Sequence, residues 1–150
     1  MKKFVILLLL LVFIPEINAQ VYEFKTITVI ESIIPNGLGR SRMISVNDER
    51  DYKEFTSTRS KEDNDRNKSD RSDIRVKGFD ETKLLNFFNL GGIRFQNIAA
   101  NDAIVTSKLN AMSEEGWELT FVNSGVESYG GKGDDNGIYI TRYIFKRVKQ

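Results

Sequence analysis

The chain has 150 residues, 22 Lys and Arg against 21 Asp and Glu, a formal charge of +1, and neither cysteine nor histidine. Without cysteine there is no disulfide, thiolate chemistry, cysteine zinc site or lipid-modified N-terminal cysteine. Without histidine there is no imidazole base, so serine-histidine-aspartate and cysteine-histidine sites are excluded and an enzyme would have to run on carboxylates, lysine or tyrosine.

The chain opens with Lys2 and Lys3, an unbroken apolar run over residues 4–14, and a helix-breaking stretch from Pro15 to the small residue Ala19. That is the layout of a secretory signal peptide, with an apolar run shorter than the roughly 20 residues that span a bilayer. The expectation is a signal peptide over 1–19, cleavage between Ala19 and Gln20, and one exported domain over 20–150, periplasmic or extracellular and without a transmembrane segment. Cleavage removes Lys2, Lys3 and Glu16, which leaves 20 basic and 20 acidic side chains of the original 22 and 21. A neutral chain of this kind is a poor match for nucleic acid or an anionic membrane, both of which recruit basic surfaces.

Residues 21–30 alternate as a strand does, with Tyr22, Phe24, Thr26, Thr28 and Ile30 on one face and Val21, Ile27 and Val29 on the other. Pro35, Asn36, Gly37 and Gly39 supply turn chemistry, and residues 42–46 are expected to return as a partner strand across a long hairpin loop. Over 47–77 charges of both signs crowd together with Ser, Thr and Asn, and apolar residues nearly vanish between Phe55 and Ile74. Such a stretch buries too little to offset its ordering entropy, which predicts a disordered charged insertion. Asp80 as N-cap, Leu84, Leu85 and Phe88 at helical spacing, and Gly91-Gly92 as a stop predict a short helix. Residues 93–100 read as an irregular connector.

The main helix is expected next, capped by Asn101 or Asp102, with Val105, Leu109 and Met112 at i, i+4 and i+7 and Ile104 beside them. Gly116 stands where a left-handed residue closes a helix. Trp117, Leu119 and Phe121 then alternate with Glu118 and Thr120 as a strand. A Gly-rich, acidic loop over 125–137 leads to a last strand, with Ile138, Ile140 and Ile144 on one face and Tyr139, Tyr143 and Phe145 on the other, so that both faces are expected to be partly covered. The fold class is α+β: a small antiparallel sheet of about four strands with one main helix and a shorter helix packed on it.

Few residues suggest chemistry. Residues 130–137 are glycine-rich but do not complete G-x-G-x-x-G and do not open a helix, so a strand connection is preferred over a phosphate cradle. Asp63, Asp65 and Asn67 match the first ligand positions of a calcium loop, but Lys68 replaces its glycine and Ile74 its bidentate glutamate. Asn67-Lys68-Ser69 fits the N-glycosylation sequon. Glu114 and Glu115 oppose the helix dipole, yet adjacent residues point about 100° apart on a helix and do not face each other as a catalytic pair. Trp117 reads as a core anchor before a ligand platform, and Glu118 as a solvent-facing strand residue. No catalytic, cofactor-binding or metal-ligating residue is assigned, and no cofactor is expected.

The run from Leu109 to Leu119, L-N-A-M-S-E-E-G-W-E-L, is joined by the opening Tyr22-Glu23-Phe24-Lys25 and the closing Tyr143-Ile144-Phe145-Lys146-Arg147. Together these resemble the small bacterial domain-of-unknown-function family numbered 4177, whose pattern is an initial Y-E-Y-K strand, a helix running into G-W-E-L and a last strand ending in K-R. The resemblance implies a fold with Gly116, Trp117, Glu118 and Leu119 as its structural signature, and no activity. The charged insertion has no counterpart in the compact family pattern. The reading that follows is an exported, non-enzymatic binding or assembly module for a protein or cell-surface partner. The alternatives are a carboxylate-dependent hydrolase or isomerase, and a structural unit that forms a homodimer through exposed strand edges.

Overall fold

The alternation that begins at Tyr22 runs on to Ser32 as β1, and a computed structural model, which describes residues 20–133 and 136–149, places it at the centre of a five-stranded sheet. The strands are β1 (Tyr22–Ser32), β2 (Arg42–Val46), β3 (Phe79–Lys83), β6 (Glu118–Glu127) and β7 (Ile138–Val148), in the order β3-β2-β1-β7-β6, every neighbour antiparallel. A separate two-stranded hairpin joins β4 (Phe88–Asn89) to β5 (Gly92–Ile93). The expected signal peptide and Ala19 lie outside the described residues, as do Asp134 and Asp135 of the glycine-rich loop; Gln20 is exposed.

β1 and β7 pair along their whole length, from Tyr22 opposite Val148 to Ser32 opposite Ile138. Directly opposed residues share a face, so Ile27 and Val29 stand with Tyr143, Thr141 and Phe145, while Phe24, Thr26 and Ile30 stand with Ile140, Ile144 and Lys146. The long helix, α2 (Phe95–Glu114), lies on the first of these faces. Its Ile104, Val105, Leu109 and Met112 meet a core of Ile27, Val29, Met43, Leu84, Trp117 and Phe145. The expected spacing of apolar residues on this helix is therefore the packed one. On the opposite face Phe24, Val46, Phe79, Phe121 and Val148 remain exposed, and Ile138, Ile140 and Ile144 are half-buried.

Three expectations are corrected. The sheet has five strands rather than about four. The short helix expected after Phe79 is absent: Phe79–Lys83 pairs with β2 instead, Phe79 opposite Val46 and Lys83 opposite Arg42, and the segment beyond closes as the β4–β5 hairpin. The alternation of Asp80 and Thr82 with Phe79, Glu81 and Lys83 suits a strand with a waiting edge, and tertiary pairing overrides a weak local preference. Among the described residues the other α-helix is a four-residue turn, α1 (Arg71–Ile74), inside the charged segment, closed by a capping box between Asp70 and Asp73. The main helix also starts earlier than Asn101, at Phe95, so residues 95–100 are helical rather than irregular. Ala99 and Ala100 favour this extension, and the Asn101 amide is occupied elsewhere.

The charged segment leaves the sheet after β2 and returns at β3. Its neck is tied: the Asn47 and Asp48 amides donate to the Gly78 carbonyl at 3.2 and 3.3 Å, and the Gly78 amide donates to the Asp48 carboxylate at 3.0 Å. Between those ties it forms a 3-10 turn at Tyr52–Phe55 and α1, and no residue of it is buried.

Candidate functional site

The helix-to-strand junction is built by backbone chemistry. Gly116 has φ +81°, its amide donates to the Ser113 carbonyl at 3.0 Å, and the Trp117 amide donates to the Met112 carbonyl at 2.9 Å. These two bonds make a complete Schellman closure, and its usual apolar contact is present because Met112 and Trp117 belong to one core cluster. Trp117 is 8% exposed, as expected of a core anchor.

The three short segments that carry the family resemblance converge on this junction. The Arg147 guanidinium lies 4.3 Å from the Trp117 ring centre, its Nε donates to the Glu23 carboxylate, and its Nη1 donates to the Glu115 carbonyl at 3.3 Å. One residue earlier, the Lys146 ammonium stands 5.1 Å from the Tyr22 ring and 3.6 Å from the Glu118 carboxylate. First strand, last strand and helix end are thus fastened by alternate residues on the two faces of the sheet. Beside the fastening is a cleft of about 610 Å³, where Glu23, Phe24, Lys25 and Thr26 of β1 face Asn47, Asp48, Glu49 and Arg50 across the gap left where β2 ends.

A second cluster lies at the other end of β1. Asn101 is almost wholly buried; its side-chain oxygen accepts from the Leu85 amide at 2.8 Å, and its nitrogen donates to the Leu85 carbonyl at 2.8 Å and to the Glu31 carboxylate at 2.7 Å. The Asn101 amide thereby pairs with Leu85 as a strand residue would. Burial raises the Glu31 pKa, the Asn101 hydrogen bond offsets part of that rise, and the Asp102 carboxylate adds to it. The Tyr143 hydroxyl is also raised, first by burial and then by the negative charges of Glu31 and Asp102. Sequence reasoning passed over Glu31 and took Asn101 for a cap. The available signal was an acidic residue at the same alternation as Ile27 and Val29, on the core face of a strand.

The other sequence candidates do not assemble a site. Asp63, Asp65 and Asn67 are exposed, and two of them use their side chains locally: the Asp63 carboxylate accepts from the Asp65 backbone amide at 3.1 Å, and the Asn67 side-chain nitrogen donates to the Glu54 carbonyl at 2.8 Å. Among the described residues no group of three or more Asp and Glu is placed to hold a metal ion. Glu114 and Glu115 are exposed at the end of α2, and the glycine-rich segment joins two antiparallel strands. Among the described residues no helix is long and apolar enough to cross a membrane.

What the sheet does offer is bare surface. β6 is an edge strand that, among the described residues, pairs with β7 alone, and almost every residue on it is exposed. Leu119 and Val122 stand on the helix side, opposite Phe145 and Tyr143, and are 42% and 54% exposed, so α2 does not reach over them. Phe121, on the other face opposite Ile144, is 63% exposed. No family model, curated protein or solved structure matches the chain.

Proposed function

We propose that this protein is an exported, non-enzymatic assembly or binding module that works through its sheet and shares its architecture with the domain-of-unknown-function family numbered 4177. The observation that carries the reading is the apolar surface around β6: Leu119, Phe121, Val122 and Val126 are all exposed on a full-length strand edge. Apolar groups exposed on both faces of one strand mark a candidate interaction surface, and an open strand edge offers unpaired backbone donors and acceptors to another chain. The charged start at Lys2 and Lys3, the apolar run over 4–14 and the small residue Ala19 are what support export.

The test uses protein recovered from the exported fraction, whose intact mass should begin at Gln20. Sedimentation velocity, with and without an extract of that fraction, is expected to reveal a complex, either of the protein with itself or with a partner. Phe121→Glu should dissolve that complex without unfolding the domain. A strictly monomeric protein that forms no complex under either condition, or a mass that retains Met1, overturns the respective half of the reading.

One observation favours the carboxylate-dependent alternative: the raised pKa of Glu31 beside Asp102 and Tyr143. Perturbed carboxylates gather at active sites, and they also occur in structural networks. Here the Glu31 carboxylate is held by Asn101, and neither Glu31 nor Asp102 lines the 610 Å³ cleft. A structural role is the better account.

A further inference from the structure

The two long edges of the sheet are finished differently. β3 carries Asp80, Glu81 and Lys83 within five residues, and Glu81 pairs with Arg42 on the neighbouring strand. Charges of this kind deter a second chain from pairing there. β6 has no such protection: from Leu119 to Val126 it contains no charged residue and no proline, and its charges, Glu118 and Glu127, stand at its two ends. Its one irregularity is a bulge between Leu119 and Phe121, close to the start of the strand. The remainder, Phe121 to Glu127, follows β7 in regular register.

An uncharged central stretch is what a strand needs in order to pair with its own copy, because an antiparallel two-fold brings the residues near its axis close to their own copies and like charges there would repel. The two-fold must stand normal to the sheet, which keeps both helices on one side. It therefore brings together the strips beside α2, Val122 and Val126 of one copy and of the other, that no helix covers. With the axis at Asn123, Phe121 of each copy lies opposite Gly125 of the other, on the face away from the helix. An aromatic side chain over a cross-strand glycine fills the space that the glycine leaves.

We propose that β6 pairs with β6 of a second copy, antiparallel about Asn123, to form a symmetric dimer with one continuous ten-stranded sheet. This rests on the assembly reading above and names its partner. The contact is isologous, and the charged β3 edges then close the assembly at two chains instead of letting it grow into a fibre.

The chain contains no cysteine, so single cysteines report the contact without background. Directly opposed residues of an antiparallel pair have Cα atoms about 4.5 to 5.5 Å apart, within the span of a disulfide. Asn123→Cys is expected to give a disulfide-linked dimer under mild oxidation, and Glu81→Cys on the other edge is expected to remain a thiol. The unmodified protein is expected to sediment as a dimer with a dissociation constant at or below about 10 μM. Val122→Lys, at an exposed site that leaves the fold intact by circular dichroism, should weaken the dimer at least about a hundredfold. A dimer that survives Val122→Lys while Asn123→Cys fails to cross-link overturns the β6 contact and leaves the assembly reading standing. So does a monomer that forms a complex with a different protein. A monomer that binds nothing overturns both.

Discussion

Glu31 shows how one side chain on the wrong side of a strand is accommodated. It occupies the core face with Ile27 and Val29, where ionisation is opposed by burial and by the neighbouring Asp102 charge, and the Asn101 amide recovers part of the loss. A carboxyl whose folded pKa is raised holds its proton more tightly in the folded state than in the unfolded one. Its contribution to stability is therefore fully present below the ordinary value of 4.5 and is lost as pH rises through the raised folded value. Glu31→Gln keeps an oxygen for Asn101 and removes the ionisation. The variant is expected to be at least as stable as the parent at neutral pH and to lose less stability between pH 4.5 and neutrality. Thermal melts across that range check this, and identical pH slopes for the two proteins would count against burial of Glu31.

At the scale of elements, the decisive join is the one between α2 and β6. Gly116 adopts φ +81°, and a Cβ built there meets nothing within 4 Å, so Gly116→Ala carries the conformational cost alone, about 1 kcal/mol. Trp117→Ala removes a buried ring from the centre of the core and the platform beneath Arg147, with an expected loss of about 3 to 5 kcal/mol. Urea titrations should rank the two accordingly, and unchanged midpoints would contradict the junction. This join was legible because both of its causes are local: a glycine after the helix, then an alternating apolar run headed by tryptophan. The two-faced alternation of β1 and β7 was legible for the same reason. β3 was not, because its pairing with β2 bridges more than thirty intervening positions, and Leu84, Leu85 and Phe88 imitate a helical stripe by chance. Asn101 misled for a related cause: its amide serves Leu85, sixteen residues away, and no local pattern records that. The edge character of β6 depends on strand order, which a single sequence does not state.

At the scale of the molecule, the sheet, α2 and the junction form a closed set of contacts to which the segment over 47–77 adds little. None of its residues is buried, and the ties between Asn47, Asp48 and Gly78 sit at its neck, where they hold β2 and β3 in register whatever lies between. Replacing residues 49–75 by a short Gly-Ser linker removes the Arg50 contact with Asp48 at 3.7 Å, which is a solvent-exposed pair of small worth. It preserves the neck, and loop closure entropy changes only slowly with length, by about 0.6 kcal/mol for each doubling. The shortened protein is therefore expected to melt within a few degrees of the parent. Its self-association should also be unchanged, because β6 lies at the opposite edge of the sheet from β2 and β3. A protein that unfolds on this deletion would show that the segment supplies core contacts. One that stays folded but no longer self-associates would move the assembly surface from β6 to the charged segment itself.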